Sequence, residues 1–353
     1  MYGRKMRWSS AAVVFFFVLG MLSLPGVEVG ATAALPYYNH FGAEATETNH
    51  FGFDGLTLNN DDADKTSKGT ITVVPDPEDK DNTVLQFFAK STSTSADPFA
   101  HLNIVKADME QPLVMSFRVK QVKDEGNIQL LFRGSGFMNV FNLEQSKVTF
   151  FPKFVELGTD KASNPSSIVL ERVNDGAWKK VIIMADYKNK TANVFYNGEF
   201  SQYDVPLIAN EVSKGAAGAV TPMRIQGRMD QGLAIDSSTS YVDDLKIYTK
   251  KDLTVDYAKE AIDKNAGSFV ISFGNEMNPS ALNRENIILE KQSGSGMEAV
   301  AGYTVTAEAP AQSSGTKVTL GLPALEASAV YQIRFTEQMK DVFGQTPAAV
   351  VFN

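Results

Sequence analysis

The stretch 113–122 reads LVMSFRVKQV. From Met115 onward apolar and polar residues alternate, with Met115, Phe117 and Val119 set against Ser116, Arg118 and Lys120. A period of two predicts a β-strand with one buried face. The stretch 178–203 extends this into three antiparallel strands joined by two tight turns. Lys188, Asn189 and Lys190 make the first turn. Asn197 and Gly198 make the second, because both tolerate the positive φ that a two-residue hairpin turn requires. Val181, Ile183, Ala185 and Tyr187 fall on one face. Lys180 and Asp186 share the other with Ile182 and Met184. A meander with two faces to cover needs a second sheet packed against it.

Short strands recur from residue 69 to 248, separated by Gly, Asn, Ser and Pro, with no helical periodicity between them. This predicts one all-β antiparallel jelly-roll sandwich over 69–250. Residues 34–68 form a polar leader with a first strand. Residues 254–264 carry the one helical pattern, with Tyr257, Ala261 and Lys264 on one face and Gly267 placed to stop it. They predict a helical linker over 251–266. Strand patterns resume at Phe269–Phe273 and run to the end of the chain, giving a second, smaller β-sandwich over 267–353.

Composition narrows the function. The 353 residues carry a formal net charge of −8, and no basic patch with interleaved aromatics appears, which argues against nucleic acid as partner. There are no cysteines, so disulfides, thiolate metal sites and cysteine nucleophiles are excluded. Arg4, Lys5 and Arg7 precede an apolar run over 11–24, and Ala31-Thr32-Ala33 follows. This predicts an export signal over 1–33, cleaved after Ala33, and a secreted, extracellular or cell-envelope protein with no later membrane span.

Two sets of residues carry a resemblance. Trp178, Val181 and Ile183, then Val194-Phe195-Tyr196-Asn197-Gly198, then Tyr241-Val242-Asp243-Asp244-Leu245-Lys246-Ile247-Tyr248, resemble the concanavalin A-like lectin/glucanase superfamily, most of all its laminin-G-like modules. Residues 269–282, with Phe273, Met277, Asn278 and Pro279, together with Tyr331, Ile333, Asp341 and Gly344, are similar to the bacterial Ig-like domains of the S-layer SbsA type. The first resemblance implies a sandwich that recognises polysaccharide, and the second a spacer or connector.

Catalytic patterns of such relatives are missing. No strand carries the Glu-x-Asp-x-x-Glu spacing of retaining hydrolysis, and none the Arg-x-Glu-x-Arg strand of uronate cleavage. His101 has no partner base or nucleophile in the sequence. The tetrapeptide Asn39-His40-Phe41-Gly42 recurs as Asn49-His50-Phe51-Gly52; it reads either as a pair of metal-ligating histidines or as a chance duplication. Asp243 shares the parity of Leu245 and Ile247, so strict alternation points its carboxylate inward. The resemblance implies a structural Ca2+ there, with oxygens from Asp54 and its neighbours. A hydrogen-bonded aspartate without metal is the other reading. For carbohydrate, aromatic faces beside polar side chains are expected, and Gln129, Arg133, Tyr187 and Tyr196 are the candidates. Trp178 reads as core, given its place at the start of a central strand.

The expectation is therefore a secreted, non-catalytic module that binds an extracellular or cell-wall polysaccharide and carries an Ig-like spacer. A polysaccharide lyase or glycoside hydrolase with an unfamiliar site, and a structural cell-envelope or adhesion protein, stand as alternatives.

Overall fold

In the computed structural model the apolar positions of alternating strands meet face to face. The structure describes residues 34–42, 56–59, 69–90, 99–103, 110–122, 127–134, 137–143, 148–151, 153–155, 168–171, 175–186, 188–206, 208–210, 222–228, 237–257, 267–310 and 313–352. Residues 32–353 belong to one compact body.

The first sandwich has two sheets. One, of eight strands, runs in the order Phe200–Pro206, Thr191–Tyr196, Lys179–Asp186, Leu113–Gln121, Ser237–Thr249, Thr83–Lys90 and Gly69–Pro75, with Tyr37–Asn39 also on Ser237–Thr249. The other, of nine strands, has Ile168–Glu171, Val148–Phe151, Phe137–Leu143, Asn127–Gly134, Pro222–Arg228, Phe99–Asn103 and Leu56–Asn59 as its main path. Among the described residues all pairings are antiparallel except that of Lys153–Val155 with Ile208–Asn210. Met115, Phe117, Val119, Val181, Ile183, Val194, Val242 and Ile247 make the core between the layers. Each such side chain contributes roughly 1.5–3 kcal/mol on burial. Asn197 and Gly198 take φ of 51° and 70°, as their turn requires. The pairing of Tyr196 with Phe200 makes that turn three residues long rather than two.

The second sandwich pairs two four-stranded sheets. One is ordered Val255–Tyr257, Ser268–Phe273, Thr316–Gly321, Thr304–Glu308; the other Gly296–Ala299, Ile287–Ser293, Tyr331–Phe335, Val350–Phe352. Ser268–Phe273 alternates strictly between exposed and buried, and Phe269, Ile271 and Phe273 enter a core with Leu289, Val318 and Ile333.

The linker helix predicted over 251–266 is corrected over its described part. Val255–Tyr257 is an edge strand paired with Ile271–Phe273, and the Tyr257 ring packs edge-on against Phe269 at 5.9 Å. Pairing and ring packing outweigh a helical periodicity read from three positions. Residues 258–266 lie outside the described residues.

The spacer expectation also changes. The second sandwich packs directly on the outer face of the eight-stranded sheet. Val342 sits among Tyr38, Val114, Ile182, Met184, Phe195 and Tyr248, with Phe343 and Tyr203 alongside. This is why Leu113 and Val114 are both buried, and why Ile182 and Met184, on the face of Lys180, are apolar. A strand covered on both faces loses its polar alternation.

Candidate functional site

A β-bulge in Ser237–Thr249 sets the geometry of the outer face. Asp243 pairs with Arg118 and Lys246 with Ser116, so Asp244 and Leu245 oppose Phe117 alone. Asp244 takes a φ of 50°. The extra residue shifts the strand's phase. Val242 and Leu245 both enter the core, while Asp243 joins the outward row of Arg118. The inward carboxylate predicted for Asp243 is thereby corrected.

Asp243 is 1% exposed, and N–H donors surround it. Arg118 Nη2 lies 2.5 Å from its Oδ2, Asn82 Nδ2 donates to the same oxygen at 3.0 Å, and the Asp244 amide donates to Oδ1 at 2.8 Å. Arg118 Nε also lies 2.7 Å from Asp244. Burial and the neighbouring Asp244 push the Asp243 carboxyl up to about 6, against the pull of Asn82 and Arg118. Asp54, its proposed calcium partner, lies outside the described residues.

Next to this bulge is a partly exposed aromatic patch. Lys120, Tyr241, Gln86 and Thr72 are register partners across four strands. Gln86 Nε2 donates to the Tyr241 hydroxyl at 3.4 Å, and Thr72 Oγ1 to Gln86 Oε1 at 3.4 Å. Trp178 lies two residues before Lys180, on its side of the strand. Its ring centroid is 6.4 Å from that of Tyr241. The Arg118 guanidinium lies over the indole at 5.1 Å, and the indole N–H donates to Asp76 Oδ1 at 3.3 Å. Trp178 is therefore not a core residue, contrary to expectation; it precedes the first paired position, Lys179. Lys120 is ion-paired with Glu78.

Where the second sandwich meets this face, a cavity of about 320 Å³ opens, lined by Arg118, Lys180, Asp244 and Ile182 from one side and by Glu276, Met277, Leu282 and Ala307 among others from the second. Its inner wall is a buried charge cluster. Glu276 Oε1 accepts from Lys246 Nζ and Ser116 Oγ, both at 3.1 Å, and lies 3.6 Å from Lys180 Nζ. The Tyr248 hydroxyl donates to Glu276 Oε2 at 2.9 Å. Burial works to raise the Glu276 carboxyl, yet the two lysines and the tyrosine hydrogen bond hold it below its usual range. Burial lowers the Lys180 ammonium, and Lys246 adds to that, with Glu276 opposing.

Glu276 is held by its own loop. Val342 N donates to its carbonyl at 2.9 Å, and Asn275 Nδ2 donates to Asp341 Oδ2 at 2.8 Å. Asp341 Oδ1 accepts from the amides of Phe343 and Gln345. The two motifs that carry the Ig-like resemblance thus form one knot, and that knot faces the first sandwich.

Of the residues named from sequence for carbohydrate, Tyr196 alone has a described side chain. Tyr196 is 2% exposed and belongs to the core of the first sandwich, because it shares its parity with Val194. Its ring is not offered to a ligand. Gln129 and Arg133 lie on Asn127–Gly134 in the opposite sheet, where only backbone positions are described. Tyr187 lies outside the described residues. His101 is on Phe99–Asn103, also described by backbone alone. His40 Nδ1 accepts the Gly42 amide at 3.2 Å between core residues Asn39 and Phe41; His50 lies outside the described residues.

Fold and site together define a double antiparallel β-sandwich with an aromatic and charged outer face that ends against its second sandwich. No family model matches the chain, and no curated protein does. Among solved structures it is similar to a sialidase (12% identity over 56% of this chain and 17% of that one, TM-score 0.33). It is also similar to the catalytic domain of a glycoside hydrolase family 131 protein from Coprinopsis cinerea (13% identity, 52% of this chain, 81% of that one, TM-score 0.32). A third is a cellulose induced protein, Cip1 (9% identity, 56% of this chain, 92% of that one, TM-score 0.36). The chain thus spans only 17% of the sialidase. None of the three is similar enough to carry function across.

Proposed function

We propose that this chain is an exported, non-catalytic glycan-binding protein. In this reading the first sandwich is of the concanavalin A-like, laminin-G-like kind and meets an extracellular or cell-wall polysaccharide on its outer face. The second, of the bacterial Ig-like kind, forms a wall of the site rather than a distant spacer. The observation that carries this is the pairing of the partly exposed Trp178 and Tyr241 with the polar row Thr72, Gln86 and Lys120. Aromatic faces take up the apolar faces of sugar rings, and flanking amides and hydroxyls bond the ring hydroxyls. The carboxylates beside the patch are committed to donors within the protein: Asp243 and Asp244 to Arg118, Glu78 to Lys120, Glu276 to Lys246, and Asp76 to the Trp178 indole and the Glu78 amide. That arrangement supports binding over acid–base chemistry. The positive start at Arg4, Lys5 and Arg7 and the apolar run over 11–24 support the reading as an exported chain.

Pull-down of the protein on a panel of insoluble polysaccharides, with reducing ends counted in parallel, tests this. Retention without new reducing ends, weakened at least tenfold in Trp178→Ala or Tyr241→Ala, is expected; a tenfold loss corresponds to about 1.4 kcal/mol. Silence across the panel, or retention unchanged in both variants, overturns it.

A further inference from the structure

We infer that the cavity between the two sandwiches is a terminal subsite that receives the end of an uncharged glycan chain. This rests on the proposed glycan-binding role of the Trp178–Tyr241 patch and adds where the chain stops and what charge it bears.

Three observations lead there. First, patch and cavity are continuous through one side chain. Arg118 lies over the Trp178 ring at 5.1 Å and also lines the cavity. A ligand stacked on the patch is already at the cavity mouth. Second, the outer face is closed beyond the cavity. Ile182 and Met184 continue the row of Trp178 and Lys180, and the second sandwich covers both. A polymer laid along this face runs into Met277, Leu282 and the strand Thr304–Glu308, with Glu276 buried behind. It cannot pass through. At about 320 Å³ the space is at the small end of ligand pockets, suited to a short terminal segment rather than a running chain.

Third, the charges balance. Each cation at the patch and cavity has an acidic partner: Lys120 has Glu78, Arg118 has Asp243 and Asp244, and Lys180 and Lys246 share Glu276. Glu308, also on the lining, adds a further negative charge. Among the described residues no excess of positive charge faces the ligand. A uronate or sulfated chain would bring its charge next to Asp244 and Glu308 without a free cation to meet it. An uncharged sugar, offering hydroxyls to ion-paired groups and carbon faces to Pro279, Leu282 and Ala307, fits.

The test uses the full chain and two series of probes. One is neutral: cello-, laminari- and xylo-oligosaccharides with their parent polysaccharides, intact and sonicated. The other is acidic: oligogalacturonides and hyaluronan fragments. Bound protein per unit mass of a neutral polysaccharide is expected to rise in proportion to the number of chain ends on sonication. Salt between low and physiological strength is expected to change affinity less than about twofold, since no ion pair forms with the ligand. Ala307→Trp and Ala309→Trp place a ring in the cavity from exposed positions on its lining. Each is expected to weaken binding at least tenfold while melting as the parent does. Neutral binding whose capacity follows mass instead of ends, or that survives both tryptophan variants, overturns the terminal subsite and leaves the patch reading standing. Preferential, salt-sensitive binding of the acidic series overturns the inferred charge. Binding of neither series removes the glycan reading itself, and the subsite with it.

Discussion

Lys246 Nζ of the first sandwich lies 3.1 Å from Glu276 Oε1 of the second, and the two side chains are 0% and 1% exposed. Such a pair forms only where hydrogen bonds offset the loss of water. Ser116 and Tyr248 supply them, and Lys180 adds a second cation at 3.6 Å. Removing one partner strands the other. Glu276→Gln, close in shape, is expected to cost about 3–5 kcal/mol in urea unfolding followed by tryptophan fluorescence. Replacing the pair together, as Lys246→Met with Glu276→Leu, is expected to cost clearly less. Equal losses would mean that the charges are not coupled.

The pH dependence of stability has two limbs of opposite sign. Glu276 is held below its ordinary 4.5, so its contribution is complete above 4.5 and fades as pH falls through the folded value. Asp243, raised to about 6 from 3.8, binds more protons folded than unfolded between those values, so its contribution shrinks as pH rises from 3.8 toward 6. Asp243→Asn is expected to flatten the decline between about pH 4 and 6 and to leave the acid limb. Glu276→Gln is expected to do the reverse. Urea midpoints across this pH range check both.

Val342 is fully buried against six side chains of the first sandwich. Val342→Ala removes the equivalent of two methylenes and leaves a small void. A loss of about 1.5–3 kcal/mol is expected. If the junction were loose in solution, the loss would fall under about 0.5 kcal/mol, the range of ordinary surface substitutions.

Lys190 closes the first turn of the meander at a φ of 58°, a region that costs a side-chain-bearing residue about 1–2 kcal/mol. Lys190→Gly removes that strain but loosens the unfolded chain. A net gain of about 0.5–1 kcal/mol is expected. Thermal melts of the variant and of Gly198→Ala, which should move the opposite way because Gly198 sits at 70°, check the pair.

The layers were legible in the sequence because their signal is local. Met115, Phe117 and Val119 announce a buried face, and Asn197-Gly198 a reversal, with no knowledge of the rest of the chain. The site was not, for three physical reasons. A bulge is one residue long and moves every later side chain to the other face; nothing in Asp243-Asp244 marks which of them sits at positive φ. Tyr196 looks polar enough for a ligand, yet its parity with Val194 sends it into the core. The apolar pair Ile182 and Met184 beside Lys180 did carry a trace of the junction, since an outward row with no water to face has no reason to be polar. Glu276 could not be recognised at all from its neighbours. Its partners Ser116, Lys180 and Lys246 are set 160, 96 and 30 residues away in the chain, and only the docked arrangement brings them together.

The junction also bears on how this protein could be cut and recombined. Excising either half would uncover ammonium or carboxylate groups that have never met solvent in the intact molecule, together with the greasy ring around Val342. Neither half is a bead on a string. Transplanting the first sandwich onto another carrier means moving its companion too, or rewriting the shared surface with charges that tolerate water.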